Sequence, residues 1–282
     1  MSLSEASIIL LGTGTSSGVP VLGCNCSVCT SSDPRDQRLR TSAALRFQDP
    51  DGHFREMLID CGPDLRYQAL RAGLRRCDGI FVTHHHVDHI YGLDEVRRFN
   101  ALMQEPIDLF AEERTLDAIH RVYRHIFDAA KNLNPSYVAH VRTHRVTTDG
   151  SVSRMGIRAT PIRLLHGKMP ILGWRFDAVD ASGAALNDLP GPFPFAWCTD
   201  CSAIPPESWP RLDGLRHLFL DMLRPRSHPT HFCLDESLAV AEKVAAKQTW
   251  FIHMGHDVAH ADLEASLPSG IALAHDGLVV SG

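Results

Sequence analysis

Residues 81–96, FVTHHHVDHIYGLDEV, set four histidines and two aspartates directly behind an apolar run. A packed core has no use for this composition, because imidazole is costly to bury unless its nitrogens find partners. The preceding GIFVT reads as a strand and IYGLDEV opens a helix. His84, His86, Asp88 and His89 therefore fall on one tight strand-to-helix turn, in the pattern H-x-H-x-D-H. So short a turn cannot wrap four donors around a single ion. Two neighbouring ions resolve the difficulty, with His84 and His86 on one side and Asp88 and His89 on the other. Zinc at a reactive site takes N and O ligands and keeps one position open. The turn alone completes neither shell, so distant strand tips must contribute. His166 ends ATPIRLLH, Asp200 ends FAWCTD and His253 ends TWFIH.

The rest of the composition frames this cluster. The chain has 282 residues, 44% hydrophobic and 22% charged, ordinary values for a globular domain with a sizeable core. A formal net charge of −5 argues against a general polyanion-binding surface. No apolar run approaches the roughly 18 residues that span a bilayer, and SIILLG near the start reads as a first strand rather than a signal peptide. A cytoplasmic location and no membrane partner are the expectation. In such a reducing compartment, the eight cysteines point to metal or catalysis more than to disulfides.

Strand-like runs recur: 7–12, 43–47, 55–60, 79–84, 107–110, 157–165, 171–179, 195–200, 217–222 and 249–254. The tail IALAHDGLVV (271–280) reads as a hairpin around Asp276-Gly277. Helical periodicity marks 92–103, 112–132 and 234–247. In the second, Leu116, Ile119, Val122, Tyr123 and Ile126 share a face; the third has Asp235 as its cap and Leu238, Val240, Ala241 and Val244 as its buried stripe. Strands followed by helices, without strict alternation, suggest an α/β sandwich with mixed sheets. GAALNDLPGPFPF (183–195) reads as a loop rather than a boundary, and Gly12 and Gly14 as a tight turn beneath the site.

A second cluster lies in GVPVLGCNCSVCTSSDP. Cys24, Cys26 and Cys29 form C-x-C-x-x-C and supply most of a tetrahedral zinc cage. His256, three residues beyond His253, is the candidate fourth ligand. Cys198 and Cys201, around Asp200, read as packing residues, and Cys61, Cys77 and Cys233 as small buried hydrophobes.

H-x-H-x-D-H followed by a lone His, a lone Asp and a lone His, each after a strand, resembles the metallo-β-lactamase fold superfamily. The resemblance implies one domain over 1–282, an α/β four-layer αββα sandwich with two mixed β-sheets. It implies a zinc-binding cysteine loop at about 20–35 and a helical insertion at about 92–135. It places His84, His86 and His166 on one metal, and Asp88, His89 and His253 on a second, with Asp200 bridging them. Asp60, in LIDCG, matches the aspartate that supports the site from behind. The GTG…GVP opening, the cysteine cluster and LPSGIALAHDG narrow the likeness to the phosphoribosyl 1,2-cyclic phosphate phosphodiesterases of phosphonate breakdown.

The implied activity is metal-dependent hydrolysis of a phosphodiester in a small cyclic phosphate or nucleotide, by hydroxide bridging two metals. Zinc is the expected catalytic metal, with manganese and iron admitted, beside one structural zinc. Asp88 and His231 carry catalytic roles, His231 as proton donor to the leaving oxygen and His228 as its alternative. Two related readings stand beside this one: a tRNA 3′-processing nuclease, and a cofactor-biosynthesis protein like pyrroloquinoline quinone biosynthesis protein B. The partner is a small phosphorylated substrate, with no strong case for nucleic acid; the family also admits a homodimer.

Overall fold

The structure, a computed structural model, describes residues 4–128, 137–186 and 191–281. Two seven-stranded mixed sheets face one another. The first contains β1 (Ser4–Gly12), β2 (Ser42–Gln48), β3 (Phe54–Ile59), β4 (Gly79–Phe81), β5 (Ile107–Ala111), β6 (Val141–Arg145) and β14 (Val279–Ser281), in the order β14-β1-β2-β3-β4-β5-β6. The second contains β7 (Val152–Arg154), β8 (Ile157–His166), β9 (Met169–Ala178), β10 (Phe195–Cys198), β11 (His217–Asp221), β12 (Gln248–Ile252) and β13 (Ile271–Leu273), in the order β13-β12-β11-β10-β9-β8-β7. Each sheet is antiparallel in one half and parallel in the other. β3, β4, β5 and β6 run parallel in the first, and β10, β11, β12 and β13 in the second.

Alternation along strands buried on both faces builds the layers. Ile8 and Leu10 of β1 enter the space between the sheets, where Phe47, Phe81 and Phe110 meet Trp174, Phe176, Trp197 and Phe219. Ile9 and Leu11 face outward, with Leu58, Ile80 and Leu109, onto α1 (Leu65–Ala72), α3 (Arg97–Met103) and α4 (Glu113–Val122). Leu218, Leu220 and Phe251 on the far side of the second sheet receive α6 (Leu234–Val244) through Val240. Helix, sheet, sheet and helix make the four layers expected of the α/β sandwich. The short helices α2 (Val87–Ile90), α5 (Arg124–Phe127) and α7 (His260–Glu264) complete the described set. None of the described helices is long and apolar enough to cross a membrane.

Several local expectations change. The tail does not form a hairpin: β13 pairs with β12 in the second sheet, and β14 with β1 in the first. The Asp276-Gly277 turn instead carries the chain across the sandwich. Its position is held by the Asp276 carboxylate, which accepts hydrogen bonds from Thr13 N (2.8 Å), Thr13 Oγ1 (2.8 Å) and Leu39 N (2.9 Å). Helix α6 is capped at Cys233, whose amide donates to Glu236 (2.9 Å); Asp235 sits in the first turn. The helix read over 112–132 stops at Val122, because Tyr123 breaks it and donates its hydroxyl to Ile90 O. Val122 is consequently exposed, and residues 129–132 lie outside the described set. The segment 92–135 contains short helices and also the sheet strand β5. Gly12 and Gly14 do not turn the chain. They permit close approach of the segment at 38–40, whose backbone a Cβ at either position would strike.

Replacing Asp276 by Ala leaves the buried Thr13 amide and the Leu39 amide without their acceptor. Urea denaturation should show a loss of about 2–4 kcal/mol; a loss below about 0.5 kcal/mol would mean this crossover is not anchored by that carboxylate.

Candidate metal centre

One edge of the sandwich collects the chemistry, and backbone conformation aims it. Asp60 follows β3, Asp200 lies two residues beyond β10, and His253 follows β12. All three adopt left-handed backbone, with φ of 59°, 54° and 62°. Such conformations cost about 1 kcal/mol or more in non-glycine residues and persist only where surroundings over-determine them. Each turns a side chain out of the strand's alternation and across the sheet edge. The H-x-H-x-D-H turn, which follows a strand of the first sheet, is pinned from β9 of the second: Leu172 N donates to Thr83 O (3.0 Å) and Trp174 Nε1 to Val82 O (3.2 Å). A Cβ on Gly62 would collide with the Asp88 carbonyl, and one on Gly92 with the Gly62 carbonyl, so both glycines serve contact between the 60–62 loop and the turn.

The residues expected at the site come together in two adjoining groups. His84, His86 and His166 offer ring nitrogens within 4.8 Å of one another; so do the donor atoms of Asp88, His89, Asp200 and His253. His89 Nε2 lies 3.2 Å from Asp88 Oδ2 and 3.2 Å from Asp200 Oδ2, while His253 Nε2 lies 3.1 Å from Asp200 Oδ1. Asp200 also groups with His166 and His231, so it adjoins both sets.

Hydrogen bonds behind the rings decide which nitrogen faces inward. His89 Nδ1 donates to Asp60 Oδ2 (2.7 Å), His84 Nδ1 meets Thr83 Oγ1 (3.1 Å), and His166 Nδ1 donates to Thr230 O (2.8 Å). Asp60 is itself fixed by Thr83 N and Thr83 Oγ1, both at 2.8 Å. The Nε2 atoms of His84, His89 and His253 are buried without a well-directed hydrogen bond; those of His89 and His253 face carboxylate oxygens only as ion pairs at 3.1–3.2 Å. Buried imidazole nitrogens rarely lack a partner, and donors of this type converging on one point are what a divalent cation requires. Burial, aided by the His89 charge, pushes the His84 pKa well below its ordinary value, which keeps its lone pair free. Burial also opposes the charge on His89, but the carboxylates of Asp200, Asp88 and Asp60 prevail and raise its pKa well above the ordinary value. Without metal the second group is thus held together by protons that a cation would displace.

Behind His253, the cysteine loop meets His256. Its Nδ1 lies 3.3 Å from Cys24 Sγ, 3.6 Å from Cys26 Sγ and 3.5 Å from Cys29 Sγ. Zinc bonds of about 2.3 Å to sulfur and about 2.0 Å to nitrogen in a tetrahedron give an N-to-S edge of about 3.5 Å. The four side chains therefore already have the spacing of a zinc cage. A buried ion pair carries the loop: Arg38 binds Asp36 (2.9 Å) and donates to Val258 O (2.8 Å) and Gly255 O (3.1 Å). The two clusters are thus rigidly linked.

His231 is buried above the groups, its ring stacked 4.9 Å from that of His253. Its Nδ1 donates to Asp221 Oδ2 (2.8 Å), which also accepts from Cys201 N (2.7 Å). His228, half-buried, has its ring 5.2 Å from that of His231. Sequence reading missed Asp221, although it ends a strand as Asp200 nearly does; β10, β11 and β12 are parallel neighbours, so Asp200, Asp221 and His253 line one edge. Thr83 and the Thr230 carbonyl were also missed, since neither residue type signals a supporting role.

Residues 55–254 match the family described as the beta-lactamase superfamily domain. A solved structure entitled a new diphosphatase from the PhnP family is similar over 99% of this chain and 98% of its own, with 40% identity and a TM-score of 0.84. Zinc-bound PqqB from Methylobacterium extorquens shares the fold at 20% identity and TM-score 0.72, covering 97% of this chain and 99% of its own. Among curated proteins, an octanoyltransferase of Porphyromonas gingivalis is 33% identical over 96% of this chain. The chain spans half of that relative's length (50%). Coenzyme PQQ synthesis protein B of Methylobacterium nodulans is 27% identical, over 76% of this chain and 71% of its own.

Stripping divalent ions with a chelator should lower thermal stability. A cation present at a hundredfold over its dissociation constant stabilises the fold by about 2.7 kcal/mol. Superimposable melting curves for chelated and zinc-supplied protein would contradict a cation at either cluster.

Proposed function

The chain belongs to the beta-lactamase superfamily domain family, as a metallo-β-lactamase-fold hydrolase near the PhnP subfamily, and from this premise we propose that it hydrolyses phosphodiester bonds of a small phosphorylated compound at a dinuclear metal centre. The observation that carries the reading is the convergence of His84, His86 and His166 with Asp88, His89, Asp200 and His253 beneath the Asp221–His231 pair. His84, His86 and His166 would hold one divalent cation, Asp88, His89 and His253 a second, and Asp200 both. Such cations acidify water and neutralise charge on a phosphoryl oxygen.

The chain's own residues supply the remaining steps. Asp60 holds His89, and the Thr230 carbonyl holds His166, so that neither ring rotates away. Asp88 is the more accessible of the two carboxylates, with 10% of its side chain exposed against 3% for Asp200. It takes the proton of the attacking water. His231, with Nδ1 tied to Asp221, presents Nε2 for protonation of the departing alkoxide. Asp221 is a positioning residue: its hydrogen bond to Nδ1 sets the ring's tautomer and orientation. Cys24, Cys26, Cys29 and His256 would hold a third, structural zinc that clips the loop at about 20–35 to the segment just after His253. The whole chain acts as one such domain, and a cytoplasmic location accords with eight unpaired thiols.

Hydrolysis of bis(p-nitrophenyl) phosphate, measured with and without chelator, tests the reading. Turnover that vanishes on chelation and returns with zinc or manganese is expected. Absence of turnover in protein shown to be metal-loaded would count against it.

His231→Ala should reduce kcat by about 10²–10⁴-fold while elemental analysis finds metal content unchanged; loss of metal would reassign His231 as a ligand. Cys26→Ser should cost one zinc per chain and lower stability, leaving the other two metals in place.

A further inference from the structure

The loop joining β11 to α6 carries two histidines, His228 and His231, and hydrogen bonds give their rings opposite tautomers. His231 donates from Nδ1 to Asp221 Oδ2 (2.8 Å), which leaves Nε2 to gain and lose a proton. His228 is the reverse. Its Nδ1 accepts from the Thr230 main-chain N–H (3.4 Å) and lies 3.2 Å from Thr230 Oγ1. A main-chain N–H can only donate, so this Nδ1 carries no hydrogen and the ring's N–H is at Nε2. That Nε2 has no hydrogen-bond partner among the described residues. Unlike the Nε2 atoms of His84, His89 and His253, it is open to solvent.

The ring is tied to the metal groups by short contacts. The Thr230 carbonyl accepts from His166 Nδ1 (2.8 Å), so one residue sets the tautomers of both His166 and His228. The His228 ring lies 5.2 Å from that of His231, which in turn lies 4.6 Å from that of His166 and 4.9 Å from that of His253. The backbone is restrained as well. Pro229 narrows the conformations open to His228. Arg224 donates to the carbonyls of Arg226 (3.1 Å) and Ser227 (2.9 Å), and Arg226 pairs with Asp257 (2.9 Å). Both guanidinium groups of the loop thus hold the loop itself, and His228 is left with a donor that nothing in the fold uses. A donor fixed in advance is what stabilises charge developing on an oxygen, since it needs no reorganisation when the charge appears.

We infer that His228 touches the substrate as a fixed N–H donor to a non-bridging phosphoryl oxygen, while His231 alone moves the proton. His228 keeps its hydrogen throughout, because Nδ1 is held as an acceptor. This deepens the phosphodiester reading and rests on it.

Phenylphosphonate, which has no ester to cleave, is titrated calorimetrically into the metal-loaded chain and its variants. His228→Ala should weaken binding by about 10–100-fold, the range of a hydrogen bond to a charged group, with metal content and melting curve unchanged. His228→Gln, whose amide N–H reaches the Nε2 position, should recover most of the affinity. His228→Asn, whose amide ends short of it, should not. Unchanged affinity in His228→Ala, or no recovery in His228→Gln, overturns the proposal. Kinetics separate the two histidines. His228→Ala should lower kcat/KM by the same factor for bis(p-nitrophenyl) phosphate and for diphenyl phosphate, whose leaving group is poorer. A clearly larger loss with diphenyl phosphate would make His228 the proton donor and overturn its assignment as a fixed donor. Absence of wild-type turnover would strike the hydrolytic reading, while the phosphonate titrations still judge His228.

Discussion

Two carboxylates, Asp88 and Asp200, are held in the protein interior with almost no access to water, and the surrounding structure is arranged to make that tolerable. An ionised carboxylate is expensive to bury unless it is paired. Burial accordingly raises the Asp200 pKa, but His253 and His89 more than reverse this and hold it well below the usual range. Those histidines must be immobile to do so. His89 is fixed by Asp60, Asp60 by Thr83, and Thr83 by the main chain of β9 across the sandwich. The site and the packing of the two sheets are one mechanical unit, which is why it tolerates left-handed backbone at Asp60, Asp200 and His253.

The same logic extends outward by one segment. His253 and His256 are separated by a short stretch whose carbonyl at Gly255 is held by the buried Arg38. The cysteine loop therefore sits behind the edge that carries His253 as a brace, tied through Asp36 to the start of α7 at His260 N (2.8 Å). A small apolar cluster of Val19, Val28 and Cys29 is the loop's only core among the described residues. A loop with so little apolar burial depends on its thiolate and imidazole donors for order.

Much of this was legible before the structure, and the reasons are physical. Strand tips that end in His or Asp stand out because an apolar run has no other need of them, and so His84, His166 and His253 were readable. Asp221 carries the same signal, yet its role depends on His231, ten residues away in a loop that no periodicity describes. The Asp276-Gly277 pair misled because turn chemistry is local, whereas β13 and β14 find partners in different sheets through long-range pairing. β6 and β7 were missed because they are outer strands rich in arginine, with Arg142, Arg145 and Arg154. Charged edge strands avoid joining a neighbouring molecule, and that same property hides them from a search for apolar alternation. Tyr123 ends α4 through one hydroxyl bond to Ile90, a tertiary contact without a sequence signature.

The pairing of β14 with β1 has an architectural consequence. Ser7 lies opposite Ser281, and Ile9 opposite Val279, so both ends of the described chain leave at the same corner. β1 runs from that corner toward Gly14, which bridges to Met254 beside the edge that carries Asp200 and His253. The two ends therefore emerge on the far side of the sandwich. A second module joined to either one hangs from the rear, leaving the mouth of the reactive cleft open to solvent and to small ligands.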